Sequence, residues 1–118
     1  MTGIRALTLV LEDPSVAAAE FHDVLGWTVE ADYGSFASVT SPDSIPLWIN
    51  APADGQATTR GVVVHVTCDD VDAAFAHAVT AGARVVREPT DMDFGERSAC
   101  VAIAAAAGVT IDFSRPLG

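Results

Sequence analysis

Ser44-Ile45-Pro46-Leu47-Trp48-Ile49-Asn50-Ala51-Pro52 and Gly108-Val109-Thr110-Ile111-Asp112-Phe113-Ser114-Arg115-Pro116 are two copies of one pattern. With Ser44 laid over Gly108, each gives a small residue, an apolar residue, a variable position and an apolar residue. Trp48 then lies over Asp112, and Pro52 closes over Pro116. The repeat extends upstream, where Ala6-Leu7-Thr8-Leu9-Val10-Leu11-Glu12-Asp13 matches Val63-Val64-His65-Val66-Thr67-Cys68-Asp69-Asp70. Repeats of this size govern the fold and take precedence over local propensity. A chain of 118 residues has room for one domain of two half-size modules, not for two independent domains. The expected boundaries are an N-terminal module over residues 1–52, a linker of small and polar residues over 53–59, and a C-terminal module over 60–118.

Within each copy the elements are marked by their ends. Asp13-Pro14 supplies an N-cap and a proline at the first helical position, where its missing N–H costs nothing. The helix that follows places Ala17, Phe21, Val24 and Leu25 on one face and stops at Gly26. Asp70 caps the second helix, which places Val71, Phe75, Ala78 and Val79 together and ends at Gly82. The flanking stretches alternate with period two, as strands do. Leu7, Leu9 and Leu11, then Val64, Val66 and Cys68, then Leu47, Ile49, Ile111 and Phe113 form the set expected under the helices. Two more strands per copy are expected near 28–31 with 35–39, and near 84–87 with 99–104. Ala104–Ala107 is read as a strand end and turn, because four residues are too few to nucleate an α-helix. Each module is therefore β-α-β-β-β, and the fold class is α+β.

The faces opposite the apolar set carry Thr8, Val10, Trp48, Asn50, His65, Thr67, Thr110, Asp112 and Ser114. Small, hydroxyl, aromatic and ionisable side chains mixed in this way suggest a lined cavity; simple exposure of the second sheet face to water is the alternative. Asp112, between Ile111 and Phe113, costs free energy in a cavity wall unless it is paired. His65, Arg115 and a bound ligand are its candidate partners. No Lys or Arg falls on the four strand faces that hold these residues.

Composition narrows the function classes. Half the residues are hydrophobic and 19% are charged, which suits a compact globule. No apolar run approaches the roughly 18 residues of a membrane span. The opening Met1-Thr2-Gly3-Ile4-Arg5 lacks the apolar core of a signal peptide, so a cytoplasmic location is expected. With 16 acidic against 6 basic residues the net charge is −10. That argues against nucleic acid, whose binding rests on Lys and Arg, while it permits steering of a cationic ligand and also serves solubility. Cys68 and Cys100 lie in apolar strand-like stretches without metal-ligand spacing and read as free buried thiols.

The pattern resembles the vicinal oxygen chelate superfamily of glyoxalases, bleomycin resistance proteins and extradiol dioxygenases. The resemblance rests on Leu7-Thr8-Leu9-Val10 followed by Asp13, and on Phe21-His22-Asp23-Val24-Leu25-Gly26-Trp27. It rests equally on Asp69-Asp70-Val71-Asp72-Ala73-Ala74, Phe94-Gly95-Glu96-Arg97 and Gly108-Val109-Thr110-Ile111-Asp112-Phe113. It implies curved sheets around a cup-like cavity, a homodimer, and, in metal-using members, one ligand from the first and last strand of each module. Those four positions here are Ala6, Trp48, Val63 and Asp112. Ala and Val cannot bind a metal, and an indole N–H has no lone pair to offer. No metal or other cofactor is therefore expected, and His22 and His77 are expected on outer helix surfaces.

Three functions follow from the resemblance together with these departures. The first is a metal-free protein that binds a small molecule, sequestering a cationic or aromatic antibiotic-like ligand with Thr8, Trp48, Asn50, His65, Thr110 and Asp112. The second is a metal-independent isomerase or cyclase with His65 or Asp112 as general base. The third, a metal-dependent glyoxalase or dioxygenase, is disfavoured by the four positions.

Overall fold

Asp13 and Asp70 start the two helices as their sequence context predicts. In the computed structural model, which describes residues 1–42 and 44–118, the Asp13 carboxylate accepts from the Val16 N–H at 3.2 Å and the Asp70 carboxylate from the Ala73 N–H at 3.0 Å. Each bond satisfies one of the N–H groups that a helix start leaves without a partner. At the far end of the first helix, Gly26 adopts φ 73°, and its N–H closes on the His22 carbonyl at 2.8 Å. A side chain there would be strained, which is why the helix stops at glycine.

The chain divides into two compact units, Met1–Thr59 and Arg60–Gly118. The first contains β1 (Leu7–Val10), α1 (Pro14–Leu25), β2 (Thr28–Asp32), β3 (Phe36–Thr40) and β4 (Leu47–Asn50). The second contains β5 (Val62–Thr67), α2 (Val71–Thr80), β6 (Arg84–Asp91), β7 (Glu96–Ala102), a 3₁₀ turn at Ala104–Ala106 and β8 (Val109–Pro116). The sheets have the same topology, β1-β4-β3-β2 and β5-β8-β7-β6. In each, the first and last strands pair in parallel and the remaining neighbours are antiparallel. This is an α+β fold of two βαβββ units. Among the described residues, no helix is long and apolar enough to cross a membrane.

Each unit has its own core. In the first, Ala17, Ala18, Phe21 and Val24 of α1 are buried against Ala37, Val39 and Ile49. Phe21 stacks on Trp27 with ring centroids 5.8 Å apart, and burying a side chain of that size contributes about 2–3 kcal/mol. In the second, Val71 and Ala78 of α2 are buried, and α2 lies over β7, β6 and β8, whose Val101 and Ile111 are fully buried.

Some expectations need correction. Leu7 is 52% exposed instead of lying under a helix. It begins an edge strand, and α1 lies mainly over β3, β2 and β4. Val79 is also exposed, because the buried seam of α2 runs through Val71 and Ala78, two turns apart, and Val79 falls one residue further round the helix. Leu25 is half-buried. Residues 104–106 form a single 3₁₀ turn closed by the Ala106 N–H on the Ile103 carbonyl at 3.1 Å. One such turn needs no α-helical nucleus. Strand β6 runs four residues past the expected end at Arg87, through Pro89, which is tolerated because β6 is an edge strand.

Candidate functional site in the second unit

Parallel pairing of β5 with β8 sets His65 directly opposite Asp112, and Val63 opposite Thr110. Ile111 and Phe113, one residue either side of Asp112, turn into the core, so the carboxylate points to the other face of the sheet. There it borders a cavity of about 420 Å³. His65, Thr110 and Asp112 all line it, with Val63 and Ser114 from the same two strands.

The other walls come from β6, β7 and the turn between them. Met92 and Phe94 lie in that turn, Glu96, Ser98 and Cys100 in β7, and Val86 and Arg87 in β6. Consecutive residues of a regular strand face opposite ways. Val86 and Arg87 face the same cavity because the ladder shifts register between Val85 and Arg87, and again between Arg87 and Thr90. Such bulges re-aim side chains, often beside functional sites. Arg87 pairs with Cys100, and its guanidinium reaches the Ser98 hydroxyl.

Asp112 is the hub of the resulting network. Its side chain is 11% exposed. Oδ1 accepts the Ser98 hydroxyl at 2.5 Å and lies 3.7 Å from the Cys100 thiol, and Oδ2 meets His65 Nδ1 at 2.6 Å. Burial pushes the Cys100 thiol above its ordinary range, and the charge of Asp112 pushes it the same way. Cys100 is therefore a protonated donor and not a nucleophile. His65 is 70% exposed at its side chain, so its ring stands at the rim with only the Nδ1 edge engaged. The buried Nε of Arg87 and Oε2 of Glu96 have no hydrogen-bond partner in the described structure.

Arg115, a candidate partner of Asp112 on sequence, instead bonds the Asp69 carbonyl. The cation that reaches the Asp112 network is Arg87 of β6, which is not one of the four strands β1, β4, β5 and β8. Arg97, within the Phe94–Arg97 motif, is structural. It holds Asp72 of α2 through two bonds of 2.8 Å and Asp91 of β6 through a third, which drives the Asp72 pKa below its ordinary value.

Thr8, Trp48 and Asn50 belong to the first unit. Thr8 pairs with Trp48 across β1 and β4. Trp48 is half-buried, on the face opposite the buried Leu47 and Ile49. Phe36 meets its ring edge-on at 6.0 Å, and the Arg5 guanidinium lies 5.1 Å from its centroid. The cation over the indole is therefore the chain's own Arg5. His22 and His77 are exposed on their helices, with His22 Nδ1 2.8 Å from the Trp27 carbonyl.

The donor set does not suit a chelated metal. Of the four positions that supply ligands in metal-using relatives, Ala6, Trp48 and Val63 have no ligand atom. Both oxygens of the remaining Asp112 are engaged by Ser98 and His65. Among the described residues, no three His, Cys, Asp or Glu side chains come together as a metal site, whereas a catalytic divalent ion takes about three protein ligands.

Comparison with known structures agrees with this architecture. A glyoxalase/bleomycin resistance protein/dioxygenase from Nocardioides superposes with TM-score 0.76 at 20% identity, covering 99% of this chain and 85% of that one. TioX from Micromonospora sp. ML1 gives 0.76 at 20% identity, covering 98% and 100%. A glyoxalase/bleomycin resistance protein/dioxygenase family enzyme from Burkholderia phytofirmans PsJN gives 0.79 at 12% identity, covering 96% and 98%. At these identities the likeness is one of fold. No curated protein matches the chain. The sequence profile of one family matches residues 3–113, nearly the whole chain, and on that ground the protein belongs to the Glyoxalase/Bleomycin resistance protein/Dioxygenase superfamily.

Proposed function

We propose that this protein binds a small organic molecule in the cavity of its second unit, without a metal ion as the recognition element. The observation that carries the reading is a cavity of about 420 Å³ whose one central carboxylate has both oxygens engaged by protein donors. Ligand pockets commonly enclose about 300–1,000 Å³, with apolar walls and a few placed polar groups. Val63, Val86, Met92 and Phe94 supply the apolar surface here. An aromatic, antibiotic-like molecule of the kind suggested by the bleomycin resistance proteins fits such a wall. A strongly cationic one is less favoured than the net charge of −10 suggests, because Arg87 borders the cavity. A cytoplasmic location and pairing of two copies as a homodimer are part of the same reading, and light scattering tests the second.

The experiment is a thermal-shift screen of aromatic compounds, with NMR shift mapping of the hits and elemental analysis of protein prepared without chelator. Hits should perturb Val63, Phe94 and Thr110, with well under one equivalent of transition metal per chain. A stoichiometric metal bound through Asp112 would overturn the reading.

A second reading, a metal-independent isomerase or cyclase, is supported by the 2.6 Å contact between His65 Nδ1 and Asp112 Oδ2. Of the two candidate bases, the geometry favours His65. Asp112 is saturated with donors, while the outer nitrogen of His65 stands at the cavity rim.

A further inference from the structure

We propose that the cavity takes an apolar, ring-sized molecule bearing a weakly acidic hydroxyl, and that His65 Nε2 accepts the proton of that hydroxyl. This rests on the reading of the second-unit cavity as a ligand site and names the ligand's chemistry.

The first step is an accounting of protons. A guanidinium has donors and no acceptor, so in the Arg87–Ser98 contact the Ser98 oxygen accepts. The single hydroxyl proton of Ser98 is then directed to Asp112 Oδ1. An ionised carboxylate only accepts, so the 2.6 Å contact on Oδ2 requires a proton on His65 Nδ1. In the neutral ring the lone pair is therefore on Nε2. A free imidazole in water favours the opposite tautomer, and the nitrogen that carries the proton is fixed by the bond the other end makes. Arg87, Ser98 and Asp112 are thus positioning residues for a proton acceptor at the rim.

The second step concerns which ligand can use that acceptor. The charged and titratable groups around the cavity are Arg87, Glu96, Asp112, His65 and Cys100. A ligand arriving as an anion meets two carboxylates. A cation meets Arg87, and Asp112 has no oxygen left to receive it, because Ser98 and His65 hold both. A neutral acid with an apolar body avoids both costs and lies against Val63, Val86, Met92 and Phe94. When the proton moves, the ligand O–H bond breaks with its electron pair left on oxygen, and an N–H bond forms at Nε2. The imidazolium then faces the Asp112 carboxylate and the oxyanion shares the cavity with Arg87. Nothing is oxidised or reduced.

The experiment has two arms, and the first needs no ligand. Long-range ¹⁵N–¹H correlation of the free protein, at a pH where the ring is neutral, should show His65 protonated at Nδ1. Asp112→Asn, whose amide N–H can face Nδ1, should reverse the tautomer. A wild-type ring protonated at Nε2 overturns the proposal. In the second arm 4-nitrophenol is titrated into the protein at a pH where it is mainly neutral in water. The ionised fraction of bound probe should rise at least about threefold, and His65→Gln should weaken binding and abolish the rise in the probe that is bound at saturating concentration. Binding without that rise overturns the proton transfer and leaves the binding function standing. No binding of 4-nitrophenol overturns the ligand class, and the binding function falls with it only if the thermal-shift screen also finds no ligand.

Discussion

The two units use one ladder for opposite chemistry. In the first, β4 presents Trp48 between the buried Leu47 and Ile49; in the second, β8 presents Asp112 between the buried Ile111 and Phe113. The strand partners correspond as well. Thr8 faces Trp48 where His65 faces Asp112, and Ser38 faces Trp48 where Cys100 faces Asp112. Two residues before Ser38, Phe36 packs edge-on against the indole; two before Cys100, Ser98 bonds the carboxylate. The backbone therefore fixes which positions converge on the open face and leaves their chemistry to the side chains. In the first unit they make an aromatic cluster with Arg5 laid on it, and in the second a hydrogen-bonded hub. Function in a duplicated scaffold is read from the point where the copies differ, since the shared fold decides no activity.

The largest test of this contrast is Asp112→Ala. It strands the Ser98 hydroxyl, the charge of Arg87 and the inner edge of His65 at once. The expected loss is about 3 kcal/mol in urea denaturation. A loss under about 1 kcal/mol would mean that Asp112 is not the hub described.

Trp48→Ala should cost less, about 2 kcal/mol, because the indole is half-buried and loses one aromatic contact and one cation contact. Arg5→Ala tests only the exposed cation–π contact and should cost about 0.5 kcal/mol. If Arg5→Ala matches Trp48→Ala, Arg5 has a role beyond stacking on the indole.

A smaller effect should be common to both units. Ser15 and the Gly34 N–H hold the Asp32 carboxyl below its ordinary value of 3.8, and Arg97 does the same for Asp72. A carboxylate whose pKa is depressed on folding contributes stability that is present above 3.8 and lost as pH falls through the folded value. Both groups are exposed, so the effect is screened. Asp72→Asn and Asp32→Asn should each lower stability slightly at neutral pH and leave it unchanged well below the folded pKa, which flattens the acid limb of a stability–pH profile. A loss that persists undiminished in acid would assign their role to packing.

Most of the fold is legible in the sequence because the signals that carry it are local and repeated. Asp13 and Asp70 mark helix starts, Gly26 and Gly82 follow the helix ends, and period-two alternation marks β4, β5 and β8. Errors gather where the core ends, as at Leu7 and Val79, since periodicity does not say how far a helix covers a sheet. The site is half legible. His65 and Asp112 stand out as ionisable residues in apolar strands. Their meeting depends on parallel pairing of β5 with β8, and a repeat says that two copies are alike without saying which strands pair. Ser98 and Arg87 are hidden for a different reason. A strand start placed at 99 leaves Ser98 in a turn, and no rule of period two puts Arg87 on the face of its neighbour Val86. The alternation Ser98-Ala99-Cys100, small and polar on one side, is the signal that points to Ser98. Arg87 has none, because a register shift between β6 and β7 is a property of the pair.

Those shifts make strand length a variable separate from side-chain identity. Val85 stands opposite Val101 and Arg87 opposite Cys100, with Val86 the supernumerary residue between them. Deleting Val86 removes one residue from the cavity wall and restores the ladder between Arg84 and Arg87, with Arg87 still opposite Cys100 and the second shift before Thr90 untouched. An ordinary strand pays for a one-residue deletion by turning every later side chain to the other face; here the deletion is absorbed where it occurs. Natural variation in this part of the chain can thus resize the cavity through gain or loss of a codon at 86, and comparative genomics of close relatives should find length changes there before it finds replacements of Asp112.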